Sequence, residues 1–122
     1  MLDVLIVDDS AAIRKILQRV LRQADVPIGS VFEAGDGIEA LETLRKQKVG
    51  LVLCDINMPK MDGLELLSRV KAEEAWMDLP FVMISTEGGQ NKVLEAVELG
   101  AVGYVRKPFT SEQIKEKLSG LF

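Results

Sequence analysis

The sequence of 122 residues contains no histidine and a single cysteine. Without an imidazole there is no histidine general base, no histidine metal ligand and no self-phosphorylated histidine. A lone Cys54 allows no disulfide framework, which fits a reducing compartment. Its place inside an apolar run marks it as a buried core thiol. No apolar stretch approaches the ~20 residues a membrane-spanning helix needs. The N-terminus lacks a basic segment followed by an apolar one, so no secretory signal is read there and a cytoplasmic location is expected, with no membrane insertion. Lys and Arg (15) are outnumbered by Asp and Glu (19), for a net charge of −4, so nonspecific attraction to nucleic acid is not the default. Linkers, low-complexity tracts and internal repeats beyond a strand-helix unit are also missing. Residues 1–122 are therefore expected to form one domain with no output domain attached.

What is present is an apolar content of 48%, enough for one core, and a regular alternation of two patterns. The central stretch is Leu51-Val52-Leu53-Cys54, which ends abruptly in Asp55, with Pro59 and Gly63 beyond. A short apolar run bounded by turn residues fits a strand buried on both faces. Val4–Val7 repeats the pattern and ends in Asp8-Asp9. Phe81–Ile84 repeats it again and ends at Ser85-Thr86. Val31–Ala34 and Gly103–Val105 are weaker versions. Between them lie helical stripes: Ile13, Ile16, Leu17, Val20 and Leu21; then Ile38, Leu41 and Leu44; then Leu64, Leu67 and Val70; then Val93, Leu94 and Val97; and finally Ile114, Leu118 and Leu121. Ser10 or Asp9 suits an N-cap, and Thr110 with Gln113 has capping-box spacing. Strand and helix five times over predicts an α/β fold, a parallel sheet with helices on both faces. In such sheets ligands gather at the carboxyl ends of the strands.

Those ends carry the chemistry. Taken singly, Asp8-Asp9 reads as an N-cap pair, Asp55 as a turn aspartate, Ser85 as a strand-terminating hydroxyl and Lys107 as a solvated lysine. Taken together, they line one switch point if strands one and three are neighbours, as in the flavodoxin-like order. Three carboxylates that close repel one another and call for protons or a cation. Oxygen ligands with room for water favour Mg2+ over a transition metal. An ammonium from Lys107 and a hydroxyl from Ser85 could bind phosphoryl oxygens there.

Asp8-Asp9, Asp55-x-Asn57-Met58-Pro59-x-Met61-Asp62-Gly63, Ser85 and the run Gly103–Phe109 resemble a bacterial response-regulator receiver domain. The resemblance covers essentially the whole chain and is nearest to single-domain chemotaxis regulators of the CheY kind, although Ile56 stands where some of those carry tryptophan. It implies a flavodoxin-like (βα)5 sandwich with strand order 2-1-3-4-5, of which CheY is itself a reference example. It implies that Asp55 is the phosphoacceptor of a two-component phosphorelay. Asp9, Asp55 and the carbonyl of Asn57 would hold Mg2+ with help from Asp8; Ser85 and Lys107 would bind the phosphoryl group, and Tyr104 would be an aromatic switch. The implied donor is a phosphohistidine on a sensor histidine kinase. The implied targets are partner proteins, such as a flagellar motor switch protein, and a phosphatase, engaged at the face of the fourth helix, fifth strand and fifth helix, where Lys92, Glu95 and Lys117 are exposed candidates.

The resemblance implies a phosphoacceptor that assists its own phosphorylation rather than an enzyme. Without a cation, an incoming phosphoryl dianion would meet three carboxylates, and one charge pair ~4 Å apart is worth about 4 kcal/mol at an effective dielectric of ~20. Asn57 and Glu87, each two residues beyond a site residue, could orient the water that ends the signal. Rival readings fit less well. A phosphohydrolase with an aspartyl-phosphate intermediate usually has an acid two residues after the nucleophile, where Asn57 cannot shuttle a proton. A flavin-binding module needs a phosphate-cradling first loop, and Asp8-Asp9 would repel phosphate. A phosphorelay intermediate, or a receiver cut from a larger DNA-binding regulator, remains an alternative.

Overall fold

The alternating runs and stripes fold as alternating layers in the computed structural model, which describes residues 1–86 and 90–121. The strands are β1 (Leu2–Val7), β2 (Ile28–Ala34), β3 (Leu51–Cys54), β4 (Phe81–Ser85) and β5 (Gly103–Arg106). The helices are α1 (Ala11–Gln23), α2 (Gly37–Lys46), α3 (Gly63–Lys71), α4 (Gln90–Glu98) and α5 (Ser111–Leu121), with a short 3-10 turn at Glu74–Trp76. All strand pairs are parallel, in the order β2-β1-β3-β4-β5. This is the doubly wound, flavodoxin-like arrangement expected from the sequence, and it puts β1 beside β3 at the switch point.

Strand periodicity divides the core in two. Leu5, Val7, Val52, Cys54, Phe81 and Met83 face α2, α3 and α4, where Leu41, Leu44, Leu67, Val70 and Ala96 meet them. Their neighbours Val4, Ile6, Leu51, Leu53, Val82 and Ile84 face α1 and α5, against Leu17, Val20, Leu21, Ile114 and Leu118. Both faces of each central strand are thus dry, which explains the unbroken apolar runs. At about 1.5–3 kcal/mol per fully buried aliphatic side chain, these two layers supply the main driving force.

Caps set where the helices begin. The Ser10 hydroxyl accepts from the Ile13 N–H at 3.3 Å. At α5 the capping box closes in both directions, Thr110 N–H to Gln113 Oε1 at 2.9 Å and Gln113 N–H to Thr110 Oγ1 at 3.2 Å. The Asp36 and Asp62 carboxylates cap α2 and α3 by accepting the Glu39 N–H at 2.9 Å and the Glu65 N–H at 2.8 Å.

Three features depart from the sequence pattern. The stripe Val93, Leu94 and Val97 marks α4 but not its buried face: Leu94 and Val97 are about half exposed (51% and 55%), and Ala96 is the buried residue. A buried alanine carries too little apolar weight to register in a stripe. Ile16 and Ile38 are likewise exposed although they fall on otherwise apolar stripes. Finally, β2 starts at Ile28 rather than Val31, because a register irregularity between Leu2 and Val4 lets β1 pair that far down.

Candidate functional site

Adjacent strands bring their terminal residues together. Val7 of β1 lies opposite Cys54 of β3, so Asp8 and Asp55 emerge side by side. The backbone ladder continues past the strand ends: Asp8 N–H donates to the Ala34 carbonyl at 3.0 Å, Asp55 N–H to Val7 at 2.9 Å and Lys107 N–H to Ser85 at 2.9 Å. These bonds fix Cα positions before any side chain acts. Asp8 is 1% exposed, Asp55 7% and Ser85 fully buried, whereas Asp9 faces solvent.

The side chains converge. One carboxylate oxygen from each of Asp8, Asp9 and Asp55 lies within 4.8 Å of the other two. Lys107 Nζ donates to Asp8 Oδ2 at 2.7 Å and to Asp55 Oδ2 at 3.2 Å. The remaining oxygens take backbone donors, Ser10 N–H on Asp8 Oδ1 at 2.9 Å and Ile56 N–H on Asp55 Oδ1 at 2.8 Å. Burial alone would lower the Lys107 pKa, but the Asp8 and Asp55 carboxylates outweigh it and hold the ammonium above its ordinary value. The peptide bond from Lys107 to Pro108 is cis. Three carboxylates against one ammonium leave the pocket with an excess of negative charge. A hard divalent cation fits this all-oxygen donor set and would balance it.

The loop after Asp55 is built for close approach. A Cβ on Gly63 would lie 2.0 Å from the Asp55 carbonyl oxygen, so only glycine lets α3 start beneath the aspartate. Gly63 N–H donates to the Ile56 carbonyl at 2.8 Å and closes that turn. Lys60 takes a left-handed conformation (φ 65°), and Met61 packs over Gly37 at the start of α2. Cys54 is buried behind Asp55; burial, then the Asp55 and Asp8 charges, push its thiol pKa well up and keep it unreactive.

The remaining predicted residues spread outward. Asn57 is exposed in the loop beyond Asp55. Ser85 ends β4 beside the Lys107 backbone. Tyr104 pairs with Met83 across the β4–β5 ladder and is half-buried against the α3–α4 side of the core. Glu87 lies outside the described residues. Sequence reasoning missed Arg14, whose guanidinium donates to the Asp8 carbonyl and, at 3.0 Å, to Glu33 Oε1. The available signal was its spacing: one turn past the N-cap, a helical residue hangs back over the strand end the chain has just left.

Among the described residues no helix is long and apolar enough to cross a membrane. Residues 4–119 match the family described as the response regulator receiver domain. The chemotaxis protein CheY-3 of Vibrio cholerae is 40% identical over 119 residues, which cover 98% of this chain and 90% of that protein. Among solved structures, the chemotaxis response regulator CheY4 of Vibrio cholerae superposes with a TM-score of 0.89 at 34% identity, covering 100% of this chain and 99% of that one. CheY in the CheX-CheY-BeF3-Mg complex from Borrelia burgdorferi gives a TM-score of 0.89 at 29% identity, covering 99% and 89%. With an acid pocket at the β1–β3 switch point, a lysine delivered from β5 and a family match spanning nearly the whole chain, this protein belongs to the response regulator receiver domains and is CheY-like.

Proposed function

We propose that this chain is a stand-alone response regulator in which Asp55 accepts a phosphoryl group from the phosphohistidine of a sensor kinase. The observation that carries this is Lys107 bridging Asp8 and Asp55 within a cluster of three carboxylates. Asp9, Asp55 and the Asn57 carbonyl would hold Mg2+, with Asp8 assisting. When bound, Mg2+ supplies charge neutralisation for the arriving phosphoryl oxygens.

The chain's own residues do the rest. The Ile56 N–H on Asp55 Oδ1 leaves Oδ2 as the attacking oxygen. Attack forms a bond from that oxygen to phosphorus and breaks the bond from phosphorus to the donor nitrogen, which leaves with the electron pair. Lys107, already at Asp55 Oδ2, would turn to a phosphoryl oxygen, and the Ser85 hydroxyl would take another. Asn57, two residues beyond Asp55, would help orient the water that removes the phosphoryl group.

Readout would be a population shift rather than turnover of a metabolite. Drawing in the Ser85 hydroxyl would vacate space behind β4 and favour an inward Tyr104. That would reshape the face of α4, β5 and α5, where Leu94, Val97 and Val102 are already exposed. Similarity to chemotaxis proteins favours a motor-switch target and a role in chemotaxis, in the cytoplasm, and the CheX complex of the Borrelia relative favours a phosphatase of that kind. The test is intact-mass measurement after incubation with Mg2+ and acetyl phosphate. Wild type should gain one phosphoryl group and Asp55→Asn none; an unmodified wild type or an equally modified mutant would refute the assignment.

A further inference from the structure

Arg14 sits one turn into α1, outside the set of side chains that would touch the phosphoryl group or the cation. Its side chain is only 19% exposed, while its partner Glu33 is 41% exposed. The Nε–H donates to Glu33 Oε1 at 3.0 Å, and Nη1 reaches back to the carbonyl oxygen of Asp8. Every polar atom of Asp8 is thereby held. Its N–H goes to Ala34 at 3.0 Å, its Oδ1 takes Ser10 N–H at 2.9 Å, its Oδ2 takes Lys107 at 2.7 Å, and its carbonyl takes Arg14.

That carbonyl shares a rigid peptide plane with the nitrogen of Asp9. Rotation of the plane would swing the Asp9 Cα, and with it the carboxylate. Asp8 and Asp55 are packed into the sheet end, but Asp9 is exposed and no core packing fixes it. Its aim therefore depends on the backbone, and Arg14 is the side chain that grips the backbone at that point. Glu33 both orients the guanidinium and offsets its charge, so the arginine holds the acid loop without adding a net cation beside it.

We propose that Arg14 is a positioning residue for cation binding: by fixing the Asp8–Asp9 peptide plane, it keeps the Asp9 carboxylate turned toward the pocket of Asp8 and Asp55. This rests on the reading of that pocket as a magnesium site. It differs in sign from a simple charge effect. Were Arg14 only a positive charge near three acids, its removal would tighten Mg2+ binding; as a strut, its removal loosens it.

The test is calorimetric titration of MgCl2 into the full chain, with the amide 15N resonance of Asp9 followed in EDTA. Arg14→Gln should weaken Mg2+ binding roughly tenfold, the loss expected when a residue behind a ligand is removed. Arg14→Lys should recover part of the affinity, since an ammonium can donate to the Asp8 carbonyl but lacks the planar fork that braces the guanidinium between that carbonyl and Glu33. Arg22→Gln removes the same charge from the same helix, where Arg22 donates to the Ile28 and Gly29 carbonyls, and should leave affinity unchanged. Without metal, the Asp9 amide should move in Arg14→Gln and less in Arg14→Lys. Equal or tighter binding by Arg14→Gln, or an unmoved Asp9 amide, overturns the inference alone. A wild type that binds no Mg2+ overturns the magnesium reading with it. Should Arg14→Gln not fold, Arg14→Lys carries the test: binding weaker than wild type supports the strut, and equal binding overturns it.

Discussion

Two lysines stand at opposite ends of one sheet and are held in opposite ways. At the entry to β4, Lys71 donates to the Met77 carbonyl at 3.0 Å and to the Leu79 carbonyl, with the Phe81 ring centroid 5.9 Å away. Burial lowers its pKa, and Asp78 only partly opposes that. At the exit of β5, Lys107 meets two carboxylates, which raise its pKa against the effect of burial. Carbonyl dipoles satisfy the hydrogen-bonding needs of an ammonium without cancelling its charge, so Lys71 clips a loop and does no more. Carboxylates cancel the charge, and because a third acid stands beside them, one lysine is not enough. The structural end of the sheet is complete as it stands. The other end keeps an excess of negative charge, which fits the cation proposed for it.

The largest effect should come from Lys107→Met. It leaves two buried carboxylates without their ammonium and should cost about 3 kcal/mol of stability in EDTA, measured by urea unfolding. Phosphorylation by acetyl phosphate should also become much slower. Lys71→Met should cost about 2 kcal/mol, because two carbonyls lose their donor, yet leave the phosphorylation rate near that of wild type. A Lys71 variant as slow to phosphorylate as the Lys107 variant would dissolve the distinction between the two ends.

Alkaline pH sharpens the contrast. The folded pKa of Lys107 lies above its unfolded value of ~10.4, so its contribution is complete below that value and is lost as pH rises through the folded pKa. The stability gap between wild type and Lys107→Met should narrow there. Lys71 has its folded pKa below the unfolded value, so its buried charge costs stability at low pH and the cost is relieved as pH climbs between the two. The gap between wild type and Lys71→Met should widen over that interval. Urea midpoints of the three proteins across the alkaline range check both slopes.

The smallest effect concerns the loop that carries the acid end. Lys60 holds a left-handed conformation, and its ion pair with Asp36 is long, at 3.8 Å, and 68% exposed on the lysine side. The pair is worth little. Lys60→Gly should therefore raise stability by about 1 kcal/mol through relief of the backbone, read as a higher thermal midpoint. A fall would show that the ion pair matters more than the conformation.

The same contrast governs what was legible in the sequence. Val4–Val7, Leu51–Cys54 and Phe81–Ile84 announce themselves because strands buried on both faces must be apolar throughout. Asp8, Asp9 and Asp55 were legible because they follow such runs, and Lys107 because it follows the weaker strand Gly103–Arg106 just before Pro108. What could not be read depends on backbone atoms, which carry no residue code. Lys71 finds the carbonyls of Met77 and Leu79, Arg14 finds the carbonyl of Asp8, and Gly63 makes room for the carbonyl of Asp55. The buried face of α4 was misread for a related reason, since Ala96 contributes packing without a large apolar side chain.

In the proposed mechanism the phosphoryl group would rest on Asp55 and on neither of the neighbouring acids. Borohydride reduces an aspartyl phosphate to homoserine, so the protein can be phosphorylated with acetyl phosphate and Mg2+, reduced, and digested for peptide sequencing. Homoserine is expected at position 55, with the signal lost when EDTA replaces Mg2+. Homoserine at position 8 or 9, or at 55 in equal yield without the cation, would contradict that mechanism.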